Sequence, residues 1–345
     1  MKRHVAAWLA VAWAWTLWVG VGVAGAASED GLGAAPNDIS TTLGPCYDEV
    51  TAQAPRCPWY VRTEAVMLFR DAEGNADVAA LGNPRNIVLS TRDLDDPFKG
   101  GPKVLIGRTL NDNWQFEASY FDLSQWNASA SVRDPGSELL SPLSHFGDPI
   151  SAAYDHNDLI SLQYKSYLNN AEMNLRYSLD LPPGRMSGSF LLGARYTGLR
   201  EDMQFFSEGT GGNHFVQTNV RNDLWGVQIG GLFEFFVQED WWVNFEMKGA
   251  ICQDSTTLTN SFTAVDVARR NSSAFIGEID LTCVHRWGHH LSTRVGYQAL
   301  WLDHVALASN NFNSNVDFLV GGPPQINNNG TVVYHGPHVG LELMW

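Results

Sequence analysis

Trp241-Trp242-Val243-Asn244-Phe245-Glu246-Met247-Lys248-Gly249-Ala250-Ile251 alternates two chemistries residue by residue. Trp241, Val243, Phe245, Met247, Gly249 and Ile251 form one set; Trp242, Asn244, Glu246, Lys248 and Ala250 form the other. The first set is apolar, and the second carries an amide and charges of both signs. A period of two puts successive side chains on opposite faces of an extended strand. The stretch is therefore predicted as a strand with its two faces in different environments.

The same alternation recurs along most of the chain. Phe275, Gly277, Ile279 and Leu281 oppose Ile276, Glu278, Asp280 and Thr282. Leu291, Thr293, Val295, Tyr297, Ala299 and Trp301 oppose Ser292, Arg294, Gly296 and Gln298. Trp114, Phe116, Ala118 and Tyr120 oppose Gln115, Glu117 and Ser119, and Ala171, Met173, Leu175 and Tyr177 oppose Glu172, Asn174 and Arg176. No run of helical period stands out after residue 27.

Composition narrows the class. The 345 residues include 22 Lys plus Arg against 37 Asp plus Glu, a net charge of −15. Nucleic acid needs a basic surface and is excluded as a main partner. Charged residues are 17%, below the roughly 25% of a soluble domain. A hydrophobic content of 44% is too high for disorder. A soluble sandwich also alternates, with its apolar face inside. Here the apolar face is broad and rich in aromatics and Gly, and the polar face mixes both charge signs with Gly and Ser. A lipid-facing exterior around a polar interior produces that pattern.

Ten strands are predicted, at 59–70, 102–110, 113–123, 158–180, 188–203, 213–237, 240–254, 269–286, 290–303 and 332–345. The range allowed is about 8 to 14, because strands 158–180 and 213–237 are long enough either to project from a bilayer or to be two strands each. Connections alternate short and long. Short ones fall at 111–112, 181–187, 238–239 and 287–289; long ones at 71–101, 124–157, 204–212, 255–268 and 304–331. The fold class predicted is all-β: one transmembrane antiparallel up-and-down β-barrel with short periplasmic turns and long extracellular loops. Trp59, Trp114, Trp241, Trp242, Trp287 and Trp345 fall at predicted periplasmic strand ends, where indoles favour the membrane interface. The girdle residues are taken as Trp59, Trp114, Trp241, Trp242 and Trp345. The last strand, with Val339, Leu341, Leu343 and Trp345 on one face, is the expected handle for the barrel assembly machinery.

The N-terminus carries Lys2, Arg3 and His4, then an apolar stretch from Val5 to Val23 and the small residues Ala24-Gly25-Ala26. This is the pattern of a secretory signal peptide over 1–26. Removing Lys2 and Arg3 with it takes the charge from −15 to −17. A periplasmic segment at 27–58 and a barrel at 59–345 complete the organisation. Export to an oxidising compartment permits disulfides. Cys46 and Cys57, which flank a Pro-containing loop, are expected to pair. Cys252 and Cys283 are placed on opposite faces of neighbouring strands and are not expected to.

These stretches together resemble the β-barrel porin family common in planctomycete bacteria. The resemblance is carried by Trp59–Phe69 (WYVRTEAVMLF), Ala171–Arg176 (AEMNLR), Gly193–Arg200 (GARYTGLR), Asn222–Gly230 (NDLWGVQIG), Gly296–Ala308 (GYQALWLDHVALA) and His335–Trp345 (HGPHVGLELMW). It covers nearly all of 59–345, and Gly296–Ala308 is its most specific part. It implies an outer-membrane barrel with a porin role, and it supplies no catalytic residues.

The predicted interior is the candidate site. Arg62, Arg176, Arg195, Lys248 and Arg294 are placed inside with Glu64, Glu117, Glu172, Glu234, Glu246, Glu278, Asp280 and Glu342. They either line a narrow passage for small solutes or ions, which the acidic excess biases toward cations, or pair into a network that fills a closed barrel. About eight strands leave an interior filled by side chains, so a wide pore is not expected from ten. A non-conducting structural or adhesive barrel is the alternative. A third reading, an outer-membrane hydrolase, would use Asp155-His156-Asn157-Asp158 or Asp303-His304 at outer strand ends. His289-His290 lacks a third metal ligand. No cofactor, metal or catalytic residue is assigned; the expected partners are outer-membrane lipid and the assembly machinery, and the location expected is the cell outer membrane.

Overall fold

The structure is a computed structural model that describes residues 59–73, 75–82, 86–94, 98–179, 185–262, 264–315 and 325–345. The predicted signal peptide and periplasmic segment, with the expected Cys46–Cys57 pair, lie outside the described residues. The strands in chain order are β1 (Trp59–Glu73), β2 (Asp77–Leu81), β3 (Asn86–Ser90), β4 (Lys99–Thr109), β5 (Trp114–Arg133), β6 (Leu139–Leu140), β7 (Asn157–Ser178), β8 (Met186–Gly209), β9 (Gly212–Gln238), β10 (Trp241–Ser261), β11 (Val265–Arg286), β12 (Leu291–Val305) and β13 (Gly330–Met344). Among the described residues one α-helix, α1 (Ala308–Asn315), follows β12.

Ten of these strands close into a ring. β1 pairs antiparallel with both β4 and β13, so the first and last strands seal the sheet. β4–β5–β7–β8–β9–β10–β11–β12–β13 completes the circuit, every pair antiparallel. Closure removes the sheet edges that lipid cannot hydrate. β2, β3 and β6 form a small flap whose Leu139 reaches β7. The ten predicted strands are the ten barrel strands. Their outer ends run further than alternation indicated: β5 reaches Arg133 and β10 reaches Ser261.

Both faces change chemistry part-way along each long strand. On β9 the outward side chains from the periplasmic end are Phe235, Phe233, Ile229, Val227 and Trp225; then come Asp223, Arg221, Asn219 and Gln217. The inward ones on β9 change the other way, from Glu234 and Gln228 to Leu224, Val220 and Val216. β7 repeats this, with Arg176, Asn174, Glu172 and Asn170 giving way to Leu168, Tyr164, Leu162 and Ile160 inside. The apolar outer band is the lipid-facing part, and the strands project beyond it. Tyr196, Trp225 and Trp301 mark its outer edge. Trp301 packs on Gly277, where a Cβ would collide with the indole.

Trp59, Trp114, Trp241 and Trp345 are exposed at the periplasmic rim. Trp242 corrects the predicted girdle: it shares the inner face with Asn244 and Glu246, and its ring is 6.2 Å from that of Phe236. Adjacent residues of one strand cannot both face lipid. α1 was not predicted; its sequence, Ala-Ser-Asn-Asn-Phe-Asn-Ser-Asn, has no apolar stripe.

Candidate functional site

All thirteen charged residues assigned to the interior point inward, and all but Glu234 are in ion pairs. Arg176 holds Glu117 at 2.9 Å and Glu246 at 2.6 Å. Arg195, 1% exposed, bridges Glu278 at 2.6 Å and Glu172 at 3.3 Å. Lys248 meets Glu172, Glu278 and Glu246 at 3.1, 3.2 and 3.7 Å. Arg62 meets Glu342 at 2.7 Å, and Arg294 joins Glu64 and Glu342 at 3.3 and 3.4 Å. Glu234 accepts from the Ser187 hydroxyl at 2.6 Å.

Within this network, sequence reading missed two inward groups. Lys103 lies 3.9 Å from Glu278, and His338 lies 2.9 Å from Asp280. Both sit on strands whose inner faces are otherwise Gly-rich: Gly101 and Gly107 on β4, Gly336 and Gly340 on β13. With no apolar-against-charged alternation there, periodicity carried little signal. Removing one partner of such a buried pair strands the other charge, at a cost of about 3–5 kcal/mol. A polar cavity of about 20 Å3 remains among Arg62, Glu64, Lys103, Glu117, Arg176 and Lys248. That is room for about one water.

Above the network the interior is mainly apolar, with the Arg70–Glu201 pair and Asp254 buried within it. Leu68 on β1, Phe121 and Leu123 on β5, Leu168 on β7, Leu199 on β8, Leu224 on β9, Ile276 on β11, Leu300 and Leu302 on β12 and Val332 on β13 pack into one buried cluster. These are wall side chains. A second cluster outside it adds Val78, Leu89, Leu139, Leu143, Phe205, Ala306 and Phe312, so the flap and the β12–β13 connection pack into the mouth. His304, with φ 61°, turns the chain inward after β12. Asn222 then pairs its amide with both backbone groups of Ala306, at 2.8 and 3.0 Å. Glu201 accepts from the Ala308 N–H at 2.8 Å, at the start of α1, and forms a buried ion pair with Arg70. Arg70 also stands 5.0 Å from the Tyr164 ring.

The residues of the hydrolase reading do not converge on a common centre. Asp155 is buried and accepts from Ser141 N–H, the Ser144 hydroxyl and Ser151 N–H at 3.1, 2.6 and 2.8 Å, which makes it a loop-folding residue. Asn157 donates to Tyr154 and Leu139 carbonyls, Asp158 accepts from Ser137, and His156 is exposed. Asp303 and His304 meet at 2.7 Å on the outside, beyond the apolar band. The Thr331 hydroxyl and His304 hold the Asp303 carboxyl below its usual range. A second outer pair, His335 with Asp71 at 3.1 Å and Tyr297 at 2.7 Å, was not anticipated. Among the described residues no group of three or more His, Cys, Asp or Glu could hold a metal. Cys252 faces inward and Cys283 outward, and both are free.

No family model and no curated protein matches the chain. Solved structures do. The outer membrane protease OmpT from Escherichia coli is similar with a TM-score of 0.52 at 9% identity, covering 86% of this chain and 99% of that one. The CymD monoaromatic hydrocarbon channel has a TM-score of 0.32 at 7% identity, covering 84% and 88%. The toluene transporter TodX from Pseudomonas putida has 0.29 at 12%, covering 84% and 90%. The chain has an outer-membrane β-barrel fold. The likeness to OmpT extends to that fold alone, and the other two are too distant to carry an argument. The planctomycete porin family has no support from these comparisons.

Proposed function

We propose that this protein is a sealed barrel of a bacterial outer membrane, a non-conducting scaffold whose working surface is its projecting outer half. One observation carries this reading: the seal is built mainly from wall side chains of the strands, with Leu307 of the β12–β13 connection joining them. A loop that swings out would leave Leu168, Leu199, Leu224, Ile276 and Leu302 in place. Those five side chains offer entering water no polar partner. The apolar band and the aromatic rims support a location in the outer membrane, with lipid around the band and assembly through β13.

The test is single-channel conductance of the refolded protein in a planar bilayer, with heat-modifiable gel mobility as the folding control. A folded barrel that gives no steps is expected. Discrete, reproducible steps would overturn the sealed reading.

A second reading is a narrow passage for small cations. The charged lower half and its small polar cavity favour it, and it requires the wall seal to part. Glu246→Lys separates the two: it shifts ion selectivity in a passage and only stability in a sealed barrel.

A further inference from the structure

The outer wall just above the lipid band carries an unusual cross-strand pair. Arg200 on β8 stands directly opposite Arg221 on β9. Like charges placed opposite each other on a sheet are destabilising. Tyr167 on β7 flanks Arg200 on its other side. The pair sits four residues outside Tyr196 and Trp225, which are themselves in register with ring centroids 4.5 Å apart. Trp225 is 64% exposed.

The surrounding carboxylates are already occupied. Asp223 accepts from the Tyr196 hydroxyl at 2.9 Å and pairs with Arg221 at 2.7 Å. Asp122 accepts from Tyr120 and Tyr167 at 2.9 and 2.7 Å. Asp202 accepts from Gln204 at 2.8 Å, from Asn219 at 3.3 Å and from Gln217. Arg200 is exposed and has no carboxylate partner among the described residues. Lys165, in register with Asp202 one strand over, has no ion pair with it.

Height decides what can neutralise this patch. Four residues of a tilted strand rise about 10 Å along the membrane normal. The headgroup layer outside the hydrocarbon is about 5–8 Å thick on each side. An arginine at that level reaches back to the phosphate plane with its own length. Guanidinium groups bind phosphate oxygens bidentately. We infer that Arg200 and Arg221, with Lys165 beside them, bind an anionic outer-leaflet lipid through a terminal phosphate monoester. Its chain would run down over Tyr196 and Trp225. The inference rests on the lipid band and is independent of whether the barrel conducts.

The experiment uses the refolded barrel in micelles containing equal phosphatidic acid and phosphatidylcholine, with retained lipids counted by native mass spectrometry. Phosphatidic acid is expected to be enriched at least fivefold on the parent protein. Arg200→Gln combined with Arg221→Gln is expected to bring the ratio near one, while Arg108→Gln, at the opposite rim, leaves it unchanged. Raising NaCl from 0.1 to 0.5 M on the parent should lower the enrichment by screening, and needs no variant to fold. No enrichment on the parent, or enrichment that survives the double substitution, would overturn the assignment. Displacement of the lipid by an equal concentration of inorganic phosphate would also overturn it, in favour of a free-anion site.

Discussion

The two halves of this barrel are built on opposite rules. From the periplasmic rim to the Tyr196–Trp225 level the wall is apolar outside and charged inside. Beyond that level it is polar outside and mainly apolar inside, with buried polar groups such as Asp254 and the Arg70–Glu201 pair among the apolar side chains. The same ten strands run through both. Each half obeys the solvent it meets: lipid outside the first, water outside the second. The difference teaches that the membrane boundary is written twice in each strand, once on each face. Leu224 and Leu232 make the comparison sharp, since both point inward on β9. Leu224 is fully buried in the seal, whereas Leu232 is half-buried and in register with Glu246. Leu224→Glu puts a second carboxylate opposite the buried Asp254 and is expected to cost about 5 kcal/mol or more, losing the heat-modifiable folded band. Leu232→Lys gains a carboxylate neighbour and is expected to stay within about 1 kcal/mol of the parent. Equal losses in urea unfolding from vesicles would break the contrast.

The next largest effect tests the charged half alone. Arg195 meets Glu172 and Glu278 and donates from Nε to Asn170 at 2.8 Å. Arg195→Met keeps much of the volume and leaves Glu172 with Lys248, and Glu278 with Lys248 and the more distant Lys103. The expected loss is about 3–5 kcal/mol. Arg195→Lys should recover part of it. A Met variant as stable as the parent would mean the network is hydrated and loosely held, which is what a water-filled passage requires.

Sequence reading found the first of these halves and missed the second, for a physical reason. Where lipid faces charge, as over Trp241–Ile251, alternation is unmistakable. Where water faces an apolar core, as over Gln253–Ser261, the outward residues are Ser and Thr and the inward ones are mixed: Asp254, Thr256, Leu258, Asn260. The period weakens, so the strands were ended too early. The inward orientation of Arg62, Glu64, Arg176 and Lys248 was legible from parity alone. Their pairing was not, because partners such as Arg176 and Glu246 lie 70 residues apart in the chain. Lys103 and His338 escaped because glycines surround them. The inward turn at His304 rests on a backbone conformation that its sequence does not announce.

Outward positions sharpen the boundary itself. Met247 and Ser255 both face out on β10, one inside the band and one beyond it. Met247→Lys is expected to cost about 2–4 kcal/mol, because it places a cation near the bilayer midplane. Ser255→Lys is expected to change stability by less than about 0.5 kcal/mol, as a solvent-facing substitution away from special features. A lysine scan at Gly249, Ile251 and Gln253 should trace the fall between these values. A flat scan would move the boundary and, with it, the level assigned to Arg200.

The smallest effect belongs to the join between the wall and the chain that fills the mouth. Asn222 offers its amide to Ala306 as a strand would offer its backbone, and accepts weakly from Thr256 at 3.4 Å. Asn222→Ala leaves the buried N–H and C=O of Ala306 without that partner. The expected cost is about 1–3 kcal/mol. It should show as faster amide hydrogen exchange at residues 305–308, with the lower barrel unchanged. Asn222→Asp keeps the acceptor and loses the donor, so the Ala306 N–H should stay protected while stability falls. If Asn222→Ala produced conductance steps, the connection after β12 would be doing what the wall side chains are assigned here, and the seal would be a plug. If it loosens 305–308 and the bilayer stays silent, the leucines of the wall are sufficient to close the barrel.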